Sequence, residues 1–246
     1  LWRKVVPDLS AAGLRCLAVD WPLGSHSIPV PGADLTPPGL AALIAEFLEA
    51  LDLHDVTIVA NDTGGALTQI LITTQPERVA RVVLTPCDSF ERFFPPLFAP
   101  LTVLARVPGA VWLLAQSMRL RFAQRLPIAY GWLAKKPIEP EVMRRYLGPI
   151  WHDRRIRRDA ARVLRSVHRR YTLAAAQLLP RFDKPVLIVW AEEDRVFPFS
   201  LAQRLARTLP NAQVRPLRDS YTFVPEDQPG ELVDLVLDFV WQHAAA

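Results

Sequence analysis

The sequence is poor in cysteine: Cys16 and Cys87 are the only two in 246 residues. Two cysteines cannot build a disulfide framework, and their spacing fits no metal-binding pattern. A reducing compartment, the cytoplasm, is therefore expected. Long apolar runs are missing too. None reaches the ~18 residues of a spanning helix, so no membrane role is expected. No signal peptide, internal repeat, low-complexity tract or cofactor motif is recognised, and neither a cofactor nor a metal site is expected. The chain begins at Leu1, directly in a helical pattern, "LWRKVVPDLSAAG".

What is present bounds the fold. Half the residues are hydrophobic, enough for one large α/β domain with a sizeable core. The 23 prolines are roughly twice the average share of about 5% and fall mostly in connections and helix starts. The net charge of +4 is local, because ten arginines crowd between Met143 and Tyr171. A basic stripe can bind nucleic acid. Without an accompanying nucleic-acid motif, the expected reading is a solvated helix face with Asp153 and Asp159 as partial counterions. The expected partner is a small molecule, with neither nucleic acid nor membrane.

Strand and helix patterns alternate along the chain. Residues 14–19 (LRCLAV), 56–60 (VTIVA), 81–85 (RVVLT), 185–190 (PVLIVW) and 212–217 (AQVRPL) read as strands. Helices are expected after Thr36, which can cap a first turn led by Pro37, from about Thr63 to Thr74, over 200–209, and from about Pro229. Continuous apolar strands between helices imply a mostly parallel sheet covered on both faces. Over 87–180 the alternation stops. That stretch reads as a helical insertion lying over the strand C-termini, where α/β sheets place their sites. The expected division is a core of 1–86 and 181–246 with a helical cap at 87–180.

The stretch "TIVANDTGGALTQ" carries the chemistry. A buried strand turns sharply at Asp62 into a helix, with Ala60 two residues before and Gly64 and Gly65 after. Such a turn holds its central residue in a strained left-handed conformation, which aspartate tolerates better than most residues. The helix N-terminus that follows favours an anion there. A plain helix cap would not require small residues on both sides.

On these residues the sequence resembles the α/β-hydrolase superfamily. "LAVDWPLGSHS" resembles the strand and loop before the nucleophile elbow. "VLIVWAEEDRVFP" resembles the strand that delivers the acid of a catalytic triad, and implies that role for Asp194. "TFVPEDQP" resembles the stretch that follows the triad histidine. An aspartate at the elbow points to the haloalkane dehalogenase and epoxide hydrolase branch. There the carboxylate attacks carbon, and a histidine-activated water cleaves the resulting ester. The resemblance implies Asp62 and Asp194 as catalytic residues. Thr63, through its amide, and Thr222 become the oxyanion and substrate-binding candidates.

The chain departs from that pattern. Thr222 stands where the family has its histidine, preceded by Tyr221, and Thr63 stands where many members have tryptophan. None of His26, His54, His152, His168 and His243 lies in the last loop. His26 reads as a surface-loop residue on the correct side of the sheet, His54 falls at the opposite end, and His152 is a cap candidate. Asp88 is either a second acid or the cap of the insertion's first turn. Arg195 is placed in sequence to neutralise Asp194. Among the cap tyrosines Tyr130, Tyr146 and Tyr171, packing is the expected role of each. In this fold another strand separates 14–19 from 56–60, so the chain reads as a piece of a longer gene product. The function that follows is hydrolysis of a small apolar halide, epoxide or ester-like compound, impaired by Thr222. The alternatives are a lyase, isomerase or cyclase on the same scaffold, or a ligand-binding relative.

Overall fold

The computed structural model describes residues 1–243. Four parallel strands form one sheet in the order β1 (Val56–Asp62), β2 (Val79–Cys87), β3 (Val186–Ala191) and β4 (Ala212–Leu217). Strand alternation explains the near-continuous apolar runs. On one face Val82, Leu84, Val186, Ile188 and Trp190 join a core with α2 (Pro37–Ala50), α3 (Thr63–Thr74) and the helix at Phe199–Thr208. On the other, Val83, Leu187, Val189 and Ala191 pack against the helices at Val6–Ala11 and Pro229–Gln242. Both faces bury apolar side chains, so the two central strands β2 and β3 are mostly apolar on either face.

Helix α1 is Val6–Ala11. The 87–180 stretch holds α4 (Pro100–Leu104), α5 (Ala110–Ser117), α6 (Arg121–Gln124), α7 (Pro140–His152), α8 (Arg154–Ser166) and α9 (Arg170–Leu178). The chain closes with α10 (Phe199–Thr208), α11 (Val224–Asp227) and α12 (Pro229–Gln242). The Thr36 hydroxyl accepts the Gly39 amide and Pro37 opens α2, as its pattern predicts. No described helix is long and apolar enough to cross a membrane.

One expectation about the strands needs correction. Residues 14–19 form no strand, although Leu14 and Cys16 pack against the second core. A strand exists only through ladder bonds to a neighbour, and β1, at the sheet's end, pairs only with β2 among the described residues. The arginine stripe is largely the solvated face that its pattern predicts, with eight of its ten arginines exposed, and three of the ten also bond to backbone carbonyls. Arg157 donates to the Ile150 and Trp151 carbonyls, Arg165 to that of Ala105, and Arg162 to those of Val30, Pro31 and Ala33. Asp153 pairs with Arg155 and Asp159 with Arg162, as expected, and the buried Asp159 also accepts the Val30 amide at 2.9 Å. Arg157, Arg162 and Arg165 thus fasten their helix to neighbouring segments.

Candidate functional site

All four strands deliver their C-terminal ends to one side of the sheet, and the sequence-predicted site residues sit just past them. Asp62 ends β1 and precedes the first residue of α3. Its backbone has φ 54° and ψ −131°, a positive φ at a non-glycine residue. The close approach that the small residues serve is at Gly65, not Gly64. A Cβ on Gly65 would lie 2.3 Å from that of Cys87 in β2, whereas one on Gly64 meets nothing within 4 Å. The elbow is therefore seated sideways against the neighbouring strand.

Three carboxylates converge here. Asp88, just past β2, donates its amide to the Asp62 carbonyl at 3.3 Å. Its Oδ2 accepts the Thr63 hydroxyl at 3.2 Å, while its Oδ1, fully buried, has no partner. Asp194, in the loop after β3, accepts the amides of Val196 and Phe197 at 2.6 and 2.7 Å on Oδ1 and the Thr222 hydroxyl at 2.9 Å on Oδ2. The threonine at the histidine position thus holds Asp194, but it spends its one proton doing so. Thr222 is itself fully buried.

The electrostatics follow from crowding. Burial, and then the charge of Asp194, push the Asp62 carboxyl up to about 7, against a smaller opposing pull from the Thr63 amide. Burial pushes Asp194 up to about 6 despite its three donors. Burial and the neighbouring Asp62 raise Asp88 well above the carboxylate range. Like charges in a low-dielectric pocket disfavour joint ionisation, so protons stay on.

Among the described residues no cation pairs with this cluster. Arg195, which its place in the sequence puts beside Asp194, instead stacks on Tyr221, with its guanidinium 4.8 Å from the ring centroid, and lies 6.0 Å from that of Trp132. It makes no ion pair with Asp194 among the described residues. His26 is buried rather than on a surface loop. Its Nε2 lies 3.4 Å from Asp159 Oδ2 on α8 and its Nδ1 accepts the Gly24 amide, so it ties the 24–35 loop to the helical segment. His54 pairs with Asp52 before β1, at the far end, and His152 is exposed at the end of α7. No described histidine bonds to Asp62, Asp88 or Asp194.

Of the three tyrosines, Tyr146 donates to Glu226 at 2.6 Å and Tyr171 accepts from Arg170. Tyr130 alone reaches the site. It packs edge-on to Phe223, next to Thr222, and its phenol is pushed up to about 12 by burial and then by Asp62. One residue escaped the sequence reading. Buried Asn61 donates to the Thr222 carbonyl and the Thr85 hydroxyl, both at 2.7 Å, and so ties the last loop to the elbow. An amide inside an otherwise apolar strand was the available signal.

Among the curated proteins, the chain is 28% identical over 242 residues to the uncharacterized hydrolase YugF of Bacillus subtilis (strain 168), covering 97% of this chain and 84% of that one. It is also 28% identical over 259 residues to haloalkane dehalogenase 1 of Mycobacterium tuberculosis (strain ATCC 25618 / H37Rv), with 99% and 80% covered. An α/β hydrolase fold protein from Burkholderia ambifaria superposes with a TM-score of 0.76 at 22% identity, over 96% of this chain and 84% of that one. The family model described as alpha/beta hydrolase fold matches residues 1–229. With its sheet, its elbow and this match together, the chain belongs to the α/β hydrolase fold family.

Proposed function

We propose that Asp62 is a carbon-attacking nucleophile, acting on a small halide, epoxide or ester-like compound. The single observation that carries this is the elbow itself: a carboxylate at positive φ, at the head of a twelve-residue helix, with no ion-pair partner among the described residues. In this reading the ionised Asp62 attacks carbon and displaces the leaving group, giving an alkyl ester on Asp62. The Thr63 amide stands ready for the oxyanion when water later adds to that ester. Asp194 and Thr222 occupy the positions of acid and base, and 87–180 acts as the cap. A threonine hydroxyl near neutral pH takes no proton from water, so the second step is slow. A placed general base is worth ~10²–10⁴-fold, and its loss falls on ester hydrolysis rather than on attack. The similarity to a haloalkane dehalogenase supports the chemistry without fixing the substrate.

The test is intact-protein mass spectrometry over a panel of small electrophiles. The expected result is a single stable mass increase on Asp62, absent in Asp62→Asn, with multiple turnovers only in Thr222→His. Because only the ionised carboxyl attacks, labelling should accelerate about tenfold per pH unit below 7 and level off above it. Rapid multiple turnover by the native chain would mean that another base operates.

A second reading has its own support. Carboxyls held near 6 and 7 suit proton transfer at neutral pH, as an isomerase or lyase requires. It would reveal itself as a rearranged free product with no adduct.

A further inference from the structure

A cleft of about 510 Å³ opens within the helical segment, between α6 and the start of α7. Its lining carries four cations, Arg121, Arg125, Lys135 and Lys136, against one acid, Glu139. The lysines are already engaged: Lys135 with Glu193 and Asp219, and Lys136 with the Asp227 carbonyl at 2.7 Å. The two arginines are not. Among the described residues, neither Arg121 nor Arg125 makes an ion pair or donates a side-chain hydrogen bond.

One lining residue, Tyr130, connects the cleft to the carboxylates, because its phenol feels the charge of Asp62. It is also the tyrosine that packs on Phe223. The turn that shapes this wall is tight, since a Cβ on Gly131 would sit 2.0 Å from the Arg125 carbonyl oxygen. The exposed arginines lie on the cleft and Asp62 lies beyond Tyr130. An anionic group is attracted to the arginines. A molecule with a carboxylate on one end and a reactive carbon on the other has only one favourable orientation.

We propose that the cleft binds the carboxylate tail of an otherwise apolar substrate through Arg121 and Arg125, with the reacting carbon directed past Tyr130 to Asp62. Guanidinium forks match carboxylate geometry, and the acid Glu139 on the lining disfavours a dianion. The inference rests on the reading of Asp62 as the reacting group, and its test separates the two. Calorimetric titration compares phenylbutyrate with phenylbutanol, which differ only in the charged end. The acid should bind at least about fivefold tighter at low salt, the effect of a partly solvated charge-assisted contact. Arg121→Gln with Arg125→Gln should reduce that preference to less than about twofold at an unchanged melting temperature. Equal binding of acid and alcohol, or a preference that survives the double substitution, overturns the proposal. In parallel, ω-bromobutyrate and bromobutane are compared as labels of Asp62 by intact mass. Preferential labelling by the acid supports the cleft and the nucleophile together. A carboxylate preference in binding without any label keeps the cleft and removes the nucleophile. Labelling without any preference for the acid does the reverse.

Discussion

Two groups of carboxylates lie at the strand C-termini, and they are provided for in opposite ways. In the last loop, Asp227 accepts the amides of Lys135, Lys136 and Tyr221 at 2.9, 2.9 and 3.0 Å. Its neighbour Glu226 accepts Arg3 at 2.9 Å, Lys4 at 3.1 Å and the Tyr146 hydroxyl at 2.6 Å. Both are buried and fully partnered, and they bind α11 to the helical segment and to the chain's first turn. Close by in space, Asp62, Asp88 and Asp194 crowd together with no ion pair among the described residues, and Asp88 has an oxygen with no partner. Burial is common to both groups; donors are scarce only at Asp62 and Asp88, since Asp194 has three of its own. Where donors suffice, a carboxylate holds elements together. Where they run short, it keeps a proton, costs stability, and stands ready for chemistry.

The sharpest way to break this comparison is Asp227→Ala. It would leave three amides without their acceptor and should cost about 3–5 kcal/mol in urea denaturation. A loss below about 1 kcal/mol would mean that the last-loop group is not the structural one.

Next in size is Gly65→Ala, which forces the elbow away from Cys87. Overpacking of this kind should cost about 1–3 kcal/mol and slow Asp62 labelling. Gly64→Ala should stay within about 0.5 kcal/mol, because its Cβ enters open space. Equal losses would show that the elbow is not seated where the geometry puts it.

Asp62→Asn should have the opposite sign. In the folded chain Asp62 titrates near 7 rather than at its ordinary 3.8, so folding favours its protonated form. Its contribution is intact below about pH 4 and is lost as pH rises through 7. Asparagine tolerates positive φ and has no charge to bury. The variant should be more stable than the native chain by about 2 kcal/mol at pH 8, about half of what the full shift implies because Asp62 keeps some solvent contact. The gain should fade toward pH 4. Thermal melts at the two pH values measure it, and a pH-independent difference would place Asp62 with the well-partnered group.

Much of this molecule was legible in its residues. The runs at 56–60, 81–85, 185–190 and 212–217 became strands, the apolar 81–85 and 185–190 at the buried centre of the sheet and the more polar 212–217 at its edge. The elbow at Asp62 was readable from the small residues around it. The partnership of Asp194 with Thr222 followed from the order of the motifs. The run at 14–19 has a strand's composition but no ladder, since a ladder belongs to two segments and composition to one.

The residue order alone placed four strands, the starts of the helices at Pro37, Thr63 and Pro229, and a carboxylate at the turn with no histidine in the last loop. These are local matters, set by side-chain period, proline and backbone tolerance. Only the tertiary structure decided which charges meet. Arg195 adjoins Asp194 in the chain yet turns onto Tyr221, while Asp88 and Asp194, distant from Asp62 in sequence, crowd it in space. His26 leaves the surface for Asp159, 133 residues away. Electrostatic coupling depends on distance through a low-dielectric interior and on the direction a side chain takes from its backbone, and neither is written in the order of the residues.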